Sequence, residues 1–243
     1  MIGVYDYTVI LTYISLLSAG TGIVSSLSGG GHPYVGTFFL LICGLCDSFD
    51  GKVARTKKDR SRLEMNFGIQ IESLCDIVSF GVLPACMGVA TLRRSPMLKE
   101  LFGVFNENWF DIFVGKWYCV VGRFSLFAIL ILYILAAMIR LAYFNVTEEE
   151  RQEKEGGTRV YYTGLPVTSA ALVFPTFLII QRLVPVDISI LYFVVTVLMG
   201  FAFISKIKVK KPGLKGILIM IAIGAVEFII FVLIKNFWPA IHR

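Results

Sequence analysis

Residues 46–76 read CDSFDGKVARTKKDRSRLEMNFGIQIESLCD, and they set four acidic side chains beside or inside strongly apolar sequence. Asp47, Asp50 and Ala54 stand at i, i+3 and i+7, so a helix presents them on one face. Gly68, Glu72 and Asp76 stand at i, i+4 and i+8, again one helical face. Two helices meeting on those faces gather four carboxylates beside residues with almost no side chain. Carboxylates held that close repel one another, and a divalent cation or a proton is needed to neutralise them.

The sequence around this stretch is that of a membrane protein. Of its 243 residues 56% are hydrophobic and 16% charged, with a mean hydropathy of +0.76. A soluble domain carries about 25% charged residues. The net charge of +6 does not point to nucleic acid, because the basic residues sit in short clusters between apolar runs. Clusters so placed mark the cytoplasmic membrane face and its anionic lipids. The first ten residues hold Asp6 and no Lys or Arg, with no small-residue cleavage pattern after them, so the first span is expected to be retained. The cysteines are 43, 46, 75, 86 and 119. Cys43-x-x-Cys46 has neither a second such pair nor a nearby histidine, and reads as small buried residues.

The expected fold is an all-α integral membrane bundle of six to eight helices, best read as seven, in a single membrane domain. The apolar runs are Tyr7–Leu27, Tyr34–Val53, Phe67–Ala90, Phe124–Phe144, Leu165–Ile180, Ile188–Ile204 and Ile217–Ile234. Most approach the ~20 residues a bilayer-crossing helix needs. Between them lie a polar segment over Thr56–Asn66, a mixed interfacial stretch over Leu92–Tyr118 with Asn106, Asn108 and Trp109, a charged loop TEEERQEKEGGTRVYYTG, and the basic segment SKIKVKKPGLK. With seven spans and the N-terminus inside, fifteen of the 23 Lys and Arg residues fall on the cytoplasmic side, as the positive-inside rule asks. The acidic cluster then lies at the cytoplasmic face of the cell membrane.

Carboxylates within an apolar span are costly unless paired or metal-bound. An all-oxygen donor set suits hard cations such as Mg2+ or Mn2+, and no nearby His or Cys invites zinc. A hard cation next to basic loops suggests a phosphate-bearing substrate. Gly51, Ala54 and Gly68 would let it approach the helix backbones, and Arg55 would pair with a phosphate. The same carboxylates could instead serve a divalent-cation transporter, although Gly51, Ala54, Arg55 and Gly68 would then have no evident purpose. By default Arg140 is an interfacial anchor and Tyr162 part of a turn into the fifth span.

The pattern Asp47-x-x-Asp50-Gly51-x-x-Ala54-Arg55 … Gly68-x-x-x-Glu72-x-x-x-Asp76 resembles the signature of the CDP-alcohol phosphotransferases. FGIQIESLCDIVSFGVLPA, IRLAYFNV and YYTGLPVTSAA resemble segments of the phosphatidylserine synthase branch. The resemblance covers a core at residues 5–205, with an additional helix at 213–236. It implies transfer of the phosphatidyl group of CDP-diacylglycerol to L-serine with release of CMP, in a homodimer among membrane lipids. Other acceptors within the family are glycerol 3-phosphate and inositol phosphate. By this analogy Asp47, Asp50, Glu72 and Asp76 hold metal, and Asp47, Gly51, Ala54, Arg55 and Gly68 line the CDP pocket. Asp76 is the general base, and Arg140, Asn145 and Tyr162 are candidates for the serine and phosphate pocket. Two features depart from the family pattern. Twelve residues separate Arg55 from Gly68, more than is usual, and Glu72 stands where the pattern has aspartate. The extra methylene moves a carboxylate outward, so weakened turnover is expected.

Overall fold

A computed structural model describes residues 3–103, 116–154, 161–210 and 214–237. Asn106, Asn108 and Trp109 of the expected interfacial stretch lie outside the described residues. The chain forms α1 (Ile10–Leu27), α2 (Pro33–Ala54), α3 (Arg62–Asp76), a π-helical segment (Ile77–Val82), α4 (Leu83–Arg94), α5 (Pro96–Phe102) and α6 (Trp117–Lys154). After β1 (Tyr161–Thr163) and a 3-10 turn (Val167–Ser169) come α7 (Ala170–Leu183), α8 (Ile190–Ile204), β2 (Lys208–Lys210) and α9 (Leu214–Phe237).

Four helical stretches among the described residues are long and apolar enough to cross a membrane: Ile10–Leu27, Pro33–Ala54, Arg62–Arg94 and Trp117–Arg151. Three shorter apolar ones follow, Val167–Leu183, Ile190–Ile204 and Leu218–Ile230. Together they match the seven expected spans, and the protein is an all-α membrane protein. Large apolar side chains cover its outer faces, such as Leu17, Ile131 and Phe201, as a surface solvated by lipid requires.

Local chemistry sets the ends of the helices that carry the acidic cluster. α2 opens on Pro33, whose missing N–H is no loss in a first turn. Before it, Gly31 takes φ +90°, and a Cβ there would come 2.7 Å from the Ala90 carbonyl oxygen, so the turn into α2 requires glycine. α3 opens on a capping box. Ser61 Oγ accepts from the Glu64 amide at 3.2 Å, and Glu64 accepts from the Ser61 amide at 2.7 Å. The connection between α2 and α3 is therefore shorter than the polar segment Thr56–Asn66 suggests. Lys57 within it bonds Asp6 at 2.7 Å and Glu64 at 2.6 Å, tying the N-terminal segment to the start of α3.

α3 does not run on as a plain α-helix. From Asp76 it passes into a π-helical turn in which the Leu83 amide reaches back five residues to Val78. Pro84 has no N–H for the Phe80 carbonyl four residues before it. The buried Tyr133 of α6 supplies that donor, its hydroxyl lying 2.6 Å from Phe80 O. Tyr192 of α8 donates likewise to Pro84 O at 2.6 Å. These two tyrosines centre an aromatic core with Phe174, whose ring lies 5.6 Å from Tyr133 and 5.2 Å from Tyr192.

The described parts of two expected loops form regular structure. The charged run after Phe144 continues α6 to Lys154, because TEEERQEK is rich in helix formers and Arg151 pairs with Glu148 one turn back at 2.6 Å. Asn145, expected on a loop, is therefore a helical residue. The segments around Tyr162 and Lys208 pair as an antiparallel ribbon, with Tyr162 opposite Val209. Its inner end is fixed by Gly164, at φ +79°, whose amide donates to Ile207 O at 2.7 Å. A Cβ on Gly164 would meet Phe203 O at 2.5 Å.

Candidate active site

The carboxylates of Asp47, Asp50 and Glu72 converge, each offering an oxygen within 4.8 Å of the others. α2 contributes the two aspartates from its last turns, and α3 contributes Glu72 from its C-terminal half. They line a cavity of about 560 Å³, together with Asp76, Gly51 and Arg55. Asp76 sits one turn past Glu72 on the same cavity, outside the tight cluster of three. The extra methylene of Glu72 is thus taken up without loss of convergence.

The opposite wall comes from α6 and the ribbon. Arg140 is buried, donates from Nε to Leu165 O at 3.2 Å, and lies 5.3 Å from the centre of the Phe144 ring. Phe144 in turn meets Tyr162 edge to face at 5.7 Å. Arg140 and Tyr162 both line the cavity. Three of the candidate residues do not. Asn145 donates to Ser73 Oγ at 2.8 Å and joins α6 to α3. Gly68 lies under the loop arginine Arg60, and a Cβ there would come 2.8 Å from Arg60 Nη2. Ala54 sits half-buried at the end of α2, outside the cavity lining.

Two basic residues in the cavity wall, Lys52 and Lys210, escape a reading of the sequence. Lys52 is adjacent to Gly51 and reads as part of a basic loop. Lys210 reaches the site only because β2 pairs with β1, a contact across nearly fifty residues that no local pattern announces. A second, apolar cavity of about 390 Å³ adjoins the first, with Ser48, Thr168 and Met220 lining both. Its walls come from α2, α7 and α9.

The model of the CDP-alcohol phosphatidyltransferase family matches residues 8–234. The chain belongs to this family. The match runs past residue 205 and takes in most of α9. Among curated proteins, the chain is 30% identical over 171 residues to a CDP-diacylglycerol–serine O-phosphatidyltransferase of Saccharomyces cerevisiae, covering 66% of this chain and 50% of the yeast protein. It is 29% identical over 166 residues to an archaetidylserine synthase of Methanothermobacter thermautotrophicus, covering 68% and 55%. It is 25% identical over 152 residues to a CDP-diacylglycerol–serine O-phosphatidyltransferase of Helicobacter pylori, covering 62% and 49%. The chain spans about half the length of these relatives. For a CDP-alcohol phosphatidyltransferase the acidic cluster has a fitting composition, since three carboxylates converge without a nitrogen or sulfur donor among them. That donor set suits a hard divalent cation.

Proposed function

We propose that this CDP-alcohol phosphatidyltransferase transfers the phosphatidyl group of CDP-diacylglycerol to the hydroxyl of L-serine, giving phosphatidylserine and CMP. The observation that carries the proposal is the convergence of Asp47, Asp50 and Glu72 in a cavity that also presents Asp76 and Arg55. The names of the relatives, two serine O-phosphatidyltransferases and an archaetidylserine synthase, support serine as the acceptor.

Asp47, Asp50 and Glu72, with Asp76 beside them, are the residues to hold Mg2+ or Mn2+. Such an ion supplies Lewis-acid stabilisation of the negative charge that builds on a pyrophosphate as it is cleaved. Gly51 leaves the α2 backbone open to the cytidine diphosphate, and Arg55 and Lys52 place positive charge beside its phosphates. The adjoining apolar cavity between α2, α7 and α9 receives acyl chain. Asp76 accepts the proton of the serine hydroxyl as its oxygen bonds to the phosphatidyl phosphorus. The phosphorus–oxygen bond to CMP breaks, and CMP leaves with the electron pair. Arg140, Tyr162 and Lys210, across the cavity, face the serine zwitterion, whose carboxylate needs a cation and whose ammonium needs an acceptor.

The fifteen basic residues of the inside loops support a cytoplasmic orientation of this cavity in the cell membrane, and the family resemblance supports a homodimer. The test is an acceptor panel. Purified protein with CDP-diacylglycerol and Mg2+ or Mn2+ is expected to release CMP with L-serine and to form phosphatidylserine. Release with glycerol 3-phosphate but not with serine would contradict the acceptor. No release with any alcohol would contradict the transferase reading.

A further inference from the structure

At the other end of α2 lies a second polar pocket that the proposed reaction does not use. Asp47 to Arg55 mark the catalytic end of α2, whereas Pro33 and Tyr34 at its start line a cavity of about 340 Å³. A helix of 22 residues separates the two ends by about 33 Å, so this pocket sits at the opposite membrane surface. Its other walls are the ends of α4 and α7 and the turn between α7 and α8.

The pocket gathers two guanidinium groups, Arg94 and Arg182, on the membrane face that carries the fewer basic residues. Arg182 is stacked on Tyr34, its guanidinium carbon 5.6 Å from the ring centre. Arg94 leans on the Gly31 carbonyl, its Nη1 3.5 Å from the oxygen. Among the described residues the wall has one carboxylate, Asp187, and it is engaged by neutral donors. It accepts from Ser95 Oγ at 2.6 Å, Met97 N at 3.2 Å, Ser189 N at 3.0 Å and Ser189 Oγ at 2.6 Å. Burial alone would raise the Asp187 carboxyl, but the hydrogen bonds from Ser189, Ser95 and Met97 outweigh it and hold it below the usual carboxylate range. Gln181 donates to Ser189 Oγ at 2.6 Å, while its own Oε1 is buried without a donor. The described wall thus carries two guanidinium groups and one buried acceptor without a donor, Gln181 Oε1.

We propose that this pocket binds the headgroup of an anionic glycerophospholipid, with its phosphodiester between Arg94 and Arg182 and a headgroup hydroxyl turned toward Gln181. A lipid rather than a free phosphate is the occupant because the rim is apolar and open. Val186 of its wall is 62% exposed, and Val35 and Leu183, next in sequence to the lining residues Tyr34 and Arg182, are 39% and 48% exposed, apolar surface on which acyl chains would lie. Arginine fits a phosphodiester through paired N–H donors, and the Tyr34 ring keeps one of the two guanidinium groups in place.

Native mass spectrometry of the purified full chain tests this, with dihexanoyl-phosphatidylglycerol, dihexanoyl-phosphatidylcholine and inorganic phosphate as separate probes. Phosphatidylglycerol is expected to bind more tightly than phosphatidylcholine. The Arg94→Gln/Arg182→Gln pair should weaken it about tenfold or more, as loss of two charge-assisted contacts implies. Arg94→Lys/Arg182→Lys, which keeps the charges, should retain the preference for the anionic lipid. Equal binding of both lipids would overturn the proposal and leave ordinary interfacial arginines. Binding of phosphatidylglycerol that survives the Gln pair but falls with Arg55→Gln would place the lipid in the carboxylate cavity instead. Inorganic phosphate competing as strongly as the lipid would overturn the lipid as occupant.

Discussion

Asp76 and Glu72 are four residues apart on one helix, yet they sit differently in the site. Asp76 lines the cavity beside the tight carboxylate cluster, so its replacement should leave the three converging carboxylates to hold the ion and the CDP-lipid while removing the proton acceptor. Asp76→Asn is expected to lower turnover by at least about a hundredfold, within the range general-base catalysis contributes. Binding of CDP-diacylglycerol, followed by calorimetry, should persist. Normal turnover in that variant would remove Asp76 as the base. Glu72 belongs to the cluster itself, and Glu72→Asp retracts one carboxylate from two partners it now meets. Retained or modestly changed activity in that variant is expected, with a shift in the preferred metal as the readout, since Mg2+ tolerates less distortion than Mn2+ in the first coordination shell. The four acidic positions were legible in the sequence because i, i+3 and i+4 spacings are local. Lys52 and Lys210 were not, because a lysine beside a membrane span looks the same whether it faces a ligand or the solvent. Asn145 illustrates the converse. The family resemblance made it a candidate for the serine and phosphate pocket, and the structure spends its amide on Ser73.

The helical elements place these residues through two devices. The first is the π-helical turn after Asp76, where Pro84 leaves the Phe80 carbonyl short of a donor and Tyr133 supplies it at 2.6 Å. Turns of this kind concentrate at functional sites, and this one sets the register between the carboxylate face and the packed half of the same helix. Tyr133→Phe should destabilise the fold by about 1–3 kcal/mol, the cost of a buried carbonyl without its donor, read as a lower midpoint of thermal unfolding in detergent. An unchanged midpoint would mean that the helix closes the gap by itself. The second device is the Lys57 tie. Lys57 and Thr8 hold the Asp6 carboxyl down to about 2. A carboxyl depressed in the folded state contributes stability above its unfolded value, ~3.9, and that contribution is lost as pH falls through about 2. Asp6→Asn should therefore lower stability slightly at neutral pH, as an exposed ion pair does, flatten the acid limb of the unfolding profile below pH ~4, and change nothing below about 2. Neither device follows from periodicity. The π turn breaks the 3.6-residue period that identifies the span, and the salt bridge joins residues fifty positions apart. The extension of α6 to Lys154 was hidden for a different reason: its charged end looks like a loop to a hydropathy reading, although its propensities are helical.

Over the whole molecule, the seven apolar stretches and their order were readable from composition and length, because lipid demands long apolar helices. The ribbon of β1 and β2 was not, since three residues a strand leave no pattern of their own. The bundle separates two polar ends, the carboxylate cavity at the end rich in basic loops and the arginine pocket at the other. That polarity makes a topological prediction. A cysteine introduced at Lys58, in the connection between α2 and α3, should react with a membrane-impermeant maleimide only after the cell membrane is opened; labelling of intact cells would invert the orientation. The central claim is that α2 and α3 bring three carboxylates together to hold a divalent cation. Electron paramagnetic resonance of Mn2+ titrated into the purified protein tests it most directly. The wild-type protein is expected to show a bound-ion signal that Asp47→Asn and Glu72→Gln each weaken by tenfold or more, about what the loss of one charged ligand implies. Equal Mn2+ affinity in all three proteins would contradict the account.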